Sequence, residues 1–216
     1  MSLTLHAHPF SSFSWKALIA LWADDTPFTY RNVDPADPSA MAELKSHWSL
    51  GKFPTLVDDG MVIPEASSII EHLQAHHPGP NRWIPEGDAG RRVRLLDRVF
   101  DLHIQGNMQP TVNHAIWPEG EGLAAARGRE QLKIAYDWLE TQLGTEGWAV
   151  GGSFTMADCA AAPALFYADW VEPIGLTRPK VAAYRTRLLT HPAVRRAVEE
   201  ARPYRHYFPL GAPERD

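Results

Sequence analysis

The stretch from Leu3 to Val33 reads as strand, helix, strand, and that compact unit narrows the fold more than any other feature of the chain. Leu3 to Ala7 alternates apolar and polar side chains, as a short strand does. Residues Trp15 to Ala23 carry Trp15, Leu18, Ile19 and Trp22 at helical spacing. A turn at Asp24-Asp25-Thr26-Pro27 leads into Phe28 to Val33, aromatic and β-branched, hence a second strand. Such a unit pairs its two strands in parallel.

The pattern then changes character. After a Pro/Asp-rich loop, Ala40 to Trp48 reads as a short helix. Thr55 to Val57 and Met61 to Ile63 are short extended runs joined by Asp58-Asp59-Gly60, a hairpin signal. Ser67 to His76 places Ile69, Ile70 and Leu73 on one helical face, with Ser68 and Glu71 at capping-box spacing. The order β-α-β-α-β-β-α is the thioredoxin-like arrangement, a parallel pair extended by an antiparallel hairpin. The segment from His77 to Gly87 breaks every regular pattern. We therefore expect one domain over residues 1–79, a linker over 80–87 and an all-helical bundle over 88–216. Val93, Leu96, Val99, Phe100 and Ile104 form one stripe of that bundle, and Leu132, Ala135, Tyr136 and Leu139 another. Further helices are expected near 155–170, 179–189 and 192–201.

Charge and cysteine content exclude several classes. A net charge of −5 speaks against nucleic acid or an anionic membrane as the main partner, since both call for a basic excess. One cysteine, Cys159, permits no intramolecular disulfide and suits a reducing cytosol. The start Met1-Ser-Leu-Thr-Leu-His lacks the basic stretch and apolar core of a secretory leader. A cytoplasmic protein is expected.

Four features stand where a ligand would meet the first domain or where the bundle is capped. Ser11-Ser12-Phe13-Ser14 lies between the first strand and first helix, where free N–H groups and a partial positive charge collect. A serine there also serves as a plain helix cap. Pro54, in Gly51-Lys52-Phe53-Pro54-Thr55-Leu56, belongs at a strand start because proline supplies no ladder donor; a cis Phe53–Pro54 bond is one way to turn the chain there. Glu65-Ala66-Ser67 opens the third helix, with a carboxylate for an ammonium group and amides for a carboxylate. Together these suit a zwitterionic amino-acid head group. Thr155 and Asp158 stand at capping-box spacing, with Phe154 placed for a hydrophobic staple; this feature is structural. His6/His8 and His76/His77 lack the carboxylate or cysteine companions of a metal site, so no metal is assigned.

In this order and at these separations, the four elements resemble the soluble glutathione S-transferase family across essentially the whole chain. Ser11 to Lys16 looks like the serine-type zeta/theta active-site region, and Phe53-Pro54-Thr55-Leu56 like the family's cis-proline element. The run from Ile63 to Leu73 resembles the helix start that binds the γ-glutamyl group, and Thr155-x-x-Asp158 the buried capping box. The resemblance implies glutathione as co-substrate, a homodimer, and conjugation of the glutathione thiolate to a small hydrophobic electrophile. It assigns the thiol-activating hydroxyl to Ser11, with Ser12 and Ser14 as alternatives, and glutathione contacts to Lys52, Phe53, Pro54, Glu65, Ala66 and Ser67. An electrophile pocket between the domains would draw on Phe10, Phe13, His103, Met108, Trp117 and Trp170. Two departures matter. Ala66 replaces the family's usual serine, leaving its amide, or the Ser67 hydroxyl, to serve instead. Phe13 stands where zeta enzymes carry cysteine, which argues against the maleylacetoacetate isomerase reaction and points to an unassigned bacterial subgroup. An isomerase, dehalogenase or lyase on the same fold, or a non-catalytic interaction protein, are the alternatives.

Overall fold

The computed structural model describes residues 2–119 and 122–216. Its first part contains β1 (Leu3–Ala7), α1 (Ser12–Ala23), β2 (Thr29–Asn32), α2 (Pro38–His47), β3 (Thr55–Asp58), β4 (Met61–Pro64) and α3 (Ala66–His76). The sheet order is β2-β1-β3-β4, with β1 and β2 parallel and the other pairs antiparallel. Leu5 on β1 stands between Tyr30 on β2 and Leu56 on β3, which itself faces Ile63 on β4. This is a thioredoxin-like α/β domain. An all-helical domain follows, with α4 (Gly87–Val99), α5 (Gly106–Ile116), α6 (Gly122–Gln142), α7 (Met156–Val171), α8 (Pro179–Thr190) and α9 (Pro192–Ala201). Among the described residues, no helix is long and apolar enough to cross a membrane.

Every residue of α1 from Ser14 to Leu21 is buried, because the helix is wedged among α3, α7 and α9. Two local expectations are corrected. Ser68 and Glu71 form no capping box. The helix starts at Ala66, with Glu65 at the N-cap three residues before Ser68, and Glu71 faces Arg94 on α4 instead, 3.5 Å away. Finally, the stripe from Val93 to Ile104 is not one α-helix, since Phe100–Gln105 forms a π-helical turn between α4 and α5.

The irregular segment after α3 is firmly held. Trp83 is fully buried, and its indole N–H donates to Asp24 at the end of α1, 2.8 Å away. The Asn81 side-chain amide donates to the same carboxylate at 2.7 Å. The Trp83 carbonyl accepts from Met156 N–H at 3.0 Å, so this stretch ties α1 to the start of α7.

At that start, the Asp158 carboxylate accepts from Thr155 N–H (2.8 Å) and the Thr155 hydroxyl (2.9 Å). It also accepts from Ala149 N–H (2.8 Å) and the Tyr184 hydroxyl (2.6 Å). Burial pushes its carboxyl upward and these donors oppose that shift. Phe154 is buried in an aromatic cluster, stacked on His191 with ring centres 4.0 Å apart and edge-on to Trp148.

The only charged side chain of α1 is Lys16, 1% exposed. Its ammonium lies 2.6 Å from Asp97 on α4, 2.6 Å from Asp101 in the π turn and 2.8 Å from the Ser67 hydroxyl on α3. Burial pushes the Asp101 carboxyl upward, against the pull of Lys16. Lys16→Met would leave two close carboxylates without their cation. We expect it to lower the free energy of unfolding by about 3–5 kcal/mol, as removal of one partner of a buried ion pair does; urea unfolding measures this.

Candidate functional site

The loop between β1 and α1 is fixed by its own backbone and by both domains. Ser11 N–H donates to the His8 carbonyl at 3.0 Å, and Phe10 N–H donates to His8 Nδ1 at 3.1 Å. The Trp15 indole donates to the Pro9 carbonyl (2.6 Å), and the Tyr167 hydroxyl on α7 to the Phe10 carbonyl (3.0 Å). With Phe10 so held, Ser11 can only be the N-cap of α1.

The three serines separate clearly. Ser14 is fully buried, and its hydroxyl oxygen accepts from His8 N–H at 3.2 Å. It is a strut between β1 and α1 and does not line the cleft onto which Ser11 and Ser12 open. Ser11 Oγ accepts from Ser14 N–H at 3.2 Å, and this capping bond uses only a lone pair. The hydroxyl proton of Ser11 therefore remains able to donate. Ser12 is the first residue of α1 and is half-buried beside it.

Ser11 and Ser12 open onto a cavity of about 400 Å³, walled by Phe10, Phe13, Lys52, Phe53, Met108 and Tyr167 among others. Ser11, Phe10 and Phe53 also border an adjoining space of about 740 Å³ that reaches His8, Asp34 and Met41. The site is thus a cleft between the two domains, mostly apolar, with a few polar groups at one end. Phe53–Pro54 is cis, and Thr55 hydroxyl donates to the Lys52 carbonyl at 2.9 Å, shaping the turn that presents Lys52 and Phe53. Glu65 is exposed and has φ = 67°, a region costly for any residue but glycine. That conformation turns the chain sharply off β4 into α3.

Some residues expected here lie elsewhere. His103 borders a separate cavity of about 350 Å³ with Asn107, Ile134 and Trp138, because the π turn aims it at α6. Trp117, just beyond α5, is 62% exposed. Trp170 packs against Phe166 and Phe208, with Arg205 over its ring. The Ser67 hydroxyl does not stand in for the serine missing at Ala66. It donates to Asp97 at 2.9 Å and accepts from Lys16, so it is committed. Conversely, Gln105 and Gln109 from the π turn and α5, Tyr167 from α7, and Tyr207 and Phe208 after α9 wall the cleft without having been anticipated. The aromatic run Tyr204 to Phe208 is the one signal that pointed to the last two.

Cys159 is fully buried in α7 with its thiol pushed up by burial, and it plays no part here. Burial also pushes His6 and His8 down, favouring neutral imidazoles. The expectation that His76/His77 lack a carboxylate companion is overturned. Asp58 Oδ2 lies 2.7 Å from His77 and 2.8 Å from His72, and both contacts hold its carboxyl below the usual range.

A thioredoxin-like domain, an all-helical partner domain and a cleft between them at a helix-capping serine define a two-domain class of fold. Residues 5–81 match the family model for the glutathione S-transferase N-terminal domain, and residues 123–187 that for the C-terminal domain. The chain belongs to the glutathione S-transferase family. A probable maleylacetoacetate isomerase of Caenorhabditis elegans is 28% identical over 171 residues, 76% of this chain and 78% of that protein. A stringent starvation protein A homolog of Coxiella burnetii is 29% identical over 165 residues, 76% of this chain and 75% of that one. Among solved structures, a glutathione S-transferase from Methylobacterium radiotolerans in complex with glutathione sulfonate has a TM-score of 0.79 at 25% identity, covering 92% of this chain and 95% of that one.

The division among the serines is testable by thermal unfolding. Ser14→Ala leaves a buried N–H unpaired and should cost about 1–3 kcal/mol. Ser11→Ala removes only a cap and should cost about 1 kcal/mol.

Proposed function

We propose that this protein is a glutathione transferase that joins the glutathione thiolate to a small hydrophobic electrophile. The observation that carries the reading is Ser11, whose hydroxyl proton is left free by the capping bond and which opens onto the interdomain cleft. A thiol near that hydroxyl and the N-terminus of α1 is stabilised as the thiolate, because both favour negative charge. Lys52 and the backbone of Phe53 are suited to the glycine end of glutathione, and Glu65 with the first amides of α3 to its γ-glutamyl end. The electrophile then meets Phe10, Phe13 and Met108, with Tyr167 and Tyr207 on the same wall. Bringing it against the thiolate supplies the larger part of the acceleration.

The gain from thiol activation can be bounded. A thiol of pKa about 8.5 is roughly 3% ionised at pH 7, and lowering that value by about two units raises the nucleophile roughly 20–25-fold. Ser11→Ala should therefore cut transfer to a generic aryl halide by up to about that factor at pH 7, the α1 N-terminus retaining its share. The deficit should shrink above about pH 9, where the thiol ionises unaided. An unchanged rate in Ser11→Ala moves the role to Ser12.

A second reading, a non-catalytic interaction protein on the same fold, draws on Ala66 and on the committed hydroxyl of Ser67. An isomerase on the same site is the reading that the Caenorhabditis relative favours. Retention on immobilised glutathione and a thermal shift with millimolar glutathione support the transferase and isomerase readings alike. Absence of both leaves the interaction protein. A homodimer is part of the proposal, supported by the exposed apolar side chains of Met61, Leu95 and Leu102 on β4, α4 and the π turn. Light scattering should give twice the chain mass, falling to the single chain in Leu102→Glu.

A further inference from the structure

Asp58 closes β3, and the last turn of α3 lies over it. His72 projects from α3 and His77 caps its end, and the Nε2 atoms of both converge on the same oxygen, Asp58 Oδ2, at 2.8 and 2.7 Å. One donor atom from each of the three residues lies within 4.8 Å of the others. The side chains are 10–16% exposed, so the cluster is walled by protein but open to an ion from solvent. Asp58 pairs with Leu3 at the beginning of β1, whereas Ser11 follows the end of that strand, so this cluster and the cleft lie at opposite ends of the sheet.

We propose that Asp58, His72 and His77 form a binding site for a divalent transition-metal ion of the zinc type. Two imidazoles and one carboxylate are an N,N,O donor set of the kind such ions prefer, and hard ions such as Mg²⁺ and Ca²⁺ favour oxygen alone. A tetrahedral ion with bonds of about 2.0–2.2 Å holds its ligands roughly 3.3 Å apart, so each histidine–carboxylate contact needs to open by only about half an ångström. The ion takes the place of the two Nε2 protons. Each imidazole binds through Nε2 as its neutral Nδ1–H tautomer, and water completes the coordination. Bound there, the ion ties the end of β3 to the end of α3.

A second cluster, His6, Glu43 and His47, serves as the control. Its carboxylate already receives the Arg31 guanidinium at 2.8 Å, and His6 stands 3.9 Å from it. A fixed cation beside the carboxylate opposes a dication. Among the described residues, the Asp58 carboxylate meets the two histidines and no lysine or arginine.

The experiment uses the full chain without a histidine tag, stripped with chelator and titrated with Zn²⁺ by calorimetry. One equivalent should bind in the micromolar range or tighter and raise the melting temperature. Co²⁺ in its place should give the visible absorption bands of a tetrahedral nitrogen–oxygen site. His72→Ala and His77→Ala should each weaken binding by at least about tenfold. Asp58→Asn, which keeps a hydrogen-bonding side chain in place for folding, should do the same. His6→Ala with His47→Ala should leave binding intact. Absence of saturable Zn²⁺ binding overturns the proposal, as does binding that survives undiminished in His72→Ala/His77→Ala.

Discussion

One buried ammonium group sets the geometry on which the cleft depends. Lys16 is the sole charge on a helix whose other middle residues are buried and uncharged. An unpaired ammonium there would cost several kcal/mol, and it is tolerable only with its two carboxylates and one hydroxyl in place. Those partners come from α3, α4 and the π turn, so the requirement acts as a register. If α1 slid along its axis, or the helical domain turned against the sheet, the cation would lose contacts that no other group nearby replaces. Apolar side chains could fill the same volume, yet they would be indifferent to shifts of an ångström.

That register reaches the cleft by two short routes. Lys16 lies one helical turn from Ser12, and Ser67 stands in the first turn of α3, directly after Glu65 and Ala66. The N-termini of α1 and α3 are therefore held relative to each other and to the π turn that supplies Gln105. A second set of bonds fixes what remains. His8, Pro9 and Phe10 each have backbone groups engaged by Ser14, Trp15 or Tyr167. Preorganisation of this kind places a hydroxyl without relying on the ligand to order it.

What the sequence revealed and what it hid follow the same division between local and distant contacts. Strand, helix and hairpin signals in the first domain depend on near neighbours, and so does the Thr155/Asp158 box, whose spacing alone defines it. Yet even that box receives Ala149 and Tyr184, and nothing local announces them. The serines were ambiguous because a shift of one residue in a helix start changes which of them caps. The bond from Ser14 N–H to Ser11 Oγ identifies Ser11 as the cap, and the bond from His8 N–H ties Ser14 to β1. Ser68 and Glu71 misled for the opposite reason. Their spacing fits a capping box, but Glu65 starts the helix early by adopting a positive φ that no propensity predicts. Lys16 with Asp97, and Asp58 with His72, join residues far apart in the chain, and no periodicity links them.

The substitution at Ala66 is best understood through the same buried set. Its neighbour Ser67 carries a hydroxyl, and were it free it would stand at the helix start where an anionic head group binds. Lys16 and Asp97 hold it instead, so its contribution goes to joining the domains. On the proposed reading, the γ-glutamyl carboxylate then meets backbone amides and the partial charge of α3 without a hydroxyl. A hydrogen bond to a charged group is worth about 1.5–3 kcal/mol net, which corresponds to roughly a ten- to 150-fold weaker hold on glutathione. The domain lock and the ligand site therefore compete for adjacent positions on one helix turn, and the lock has taken the serine.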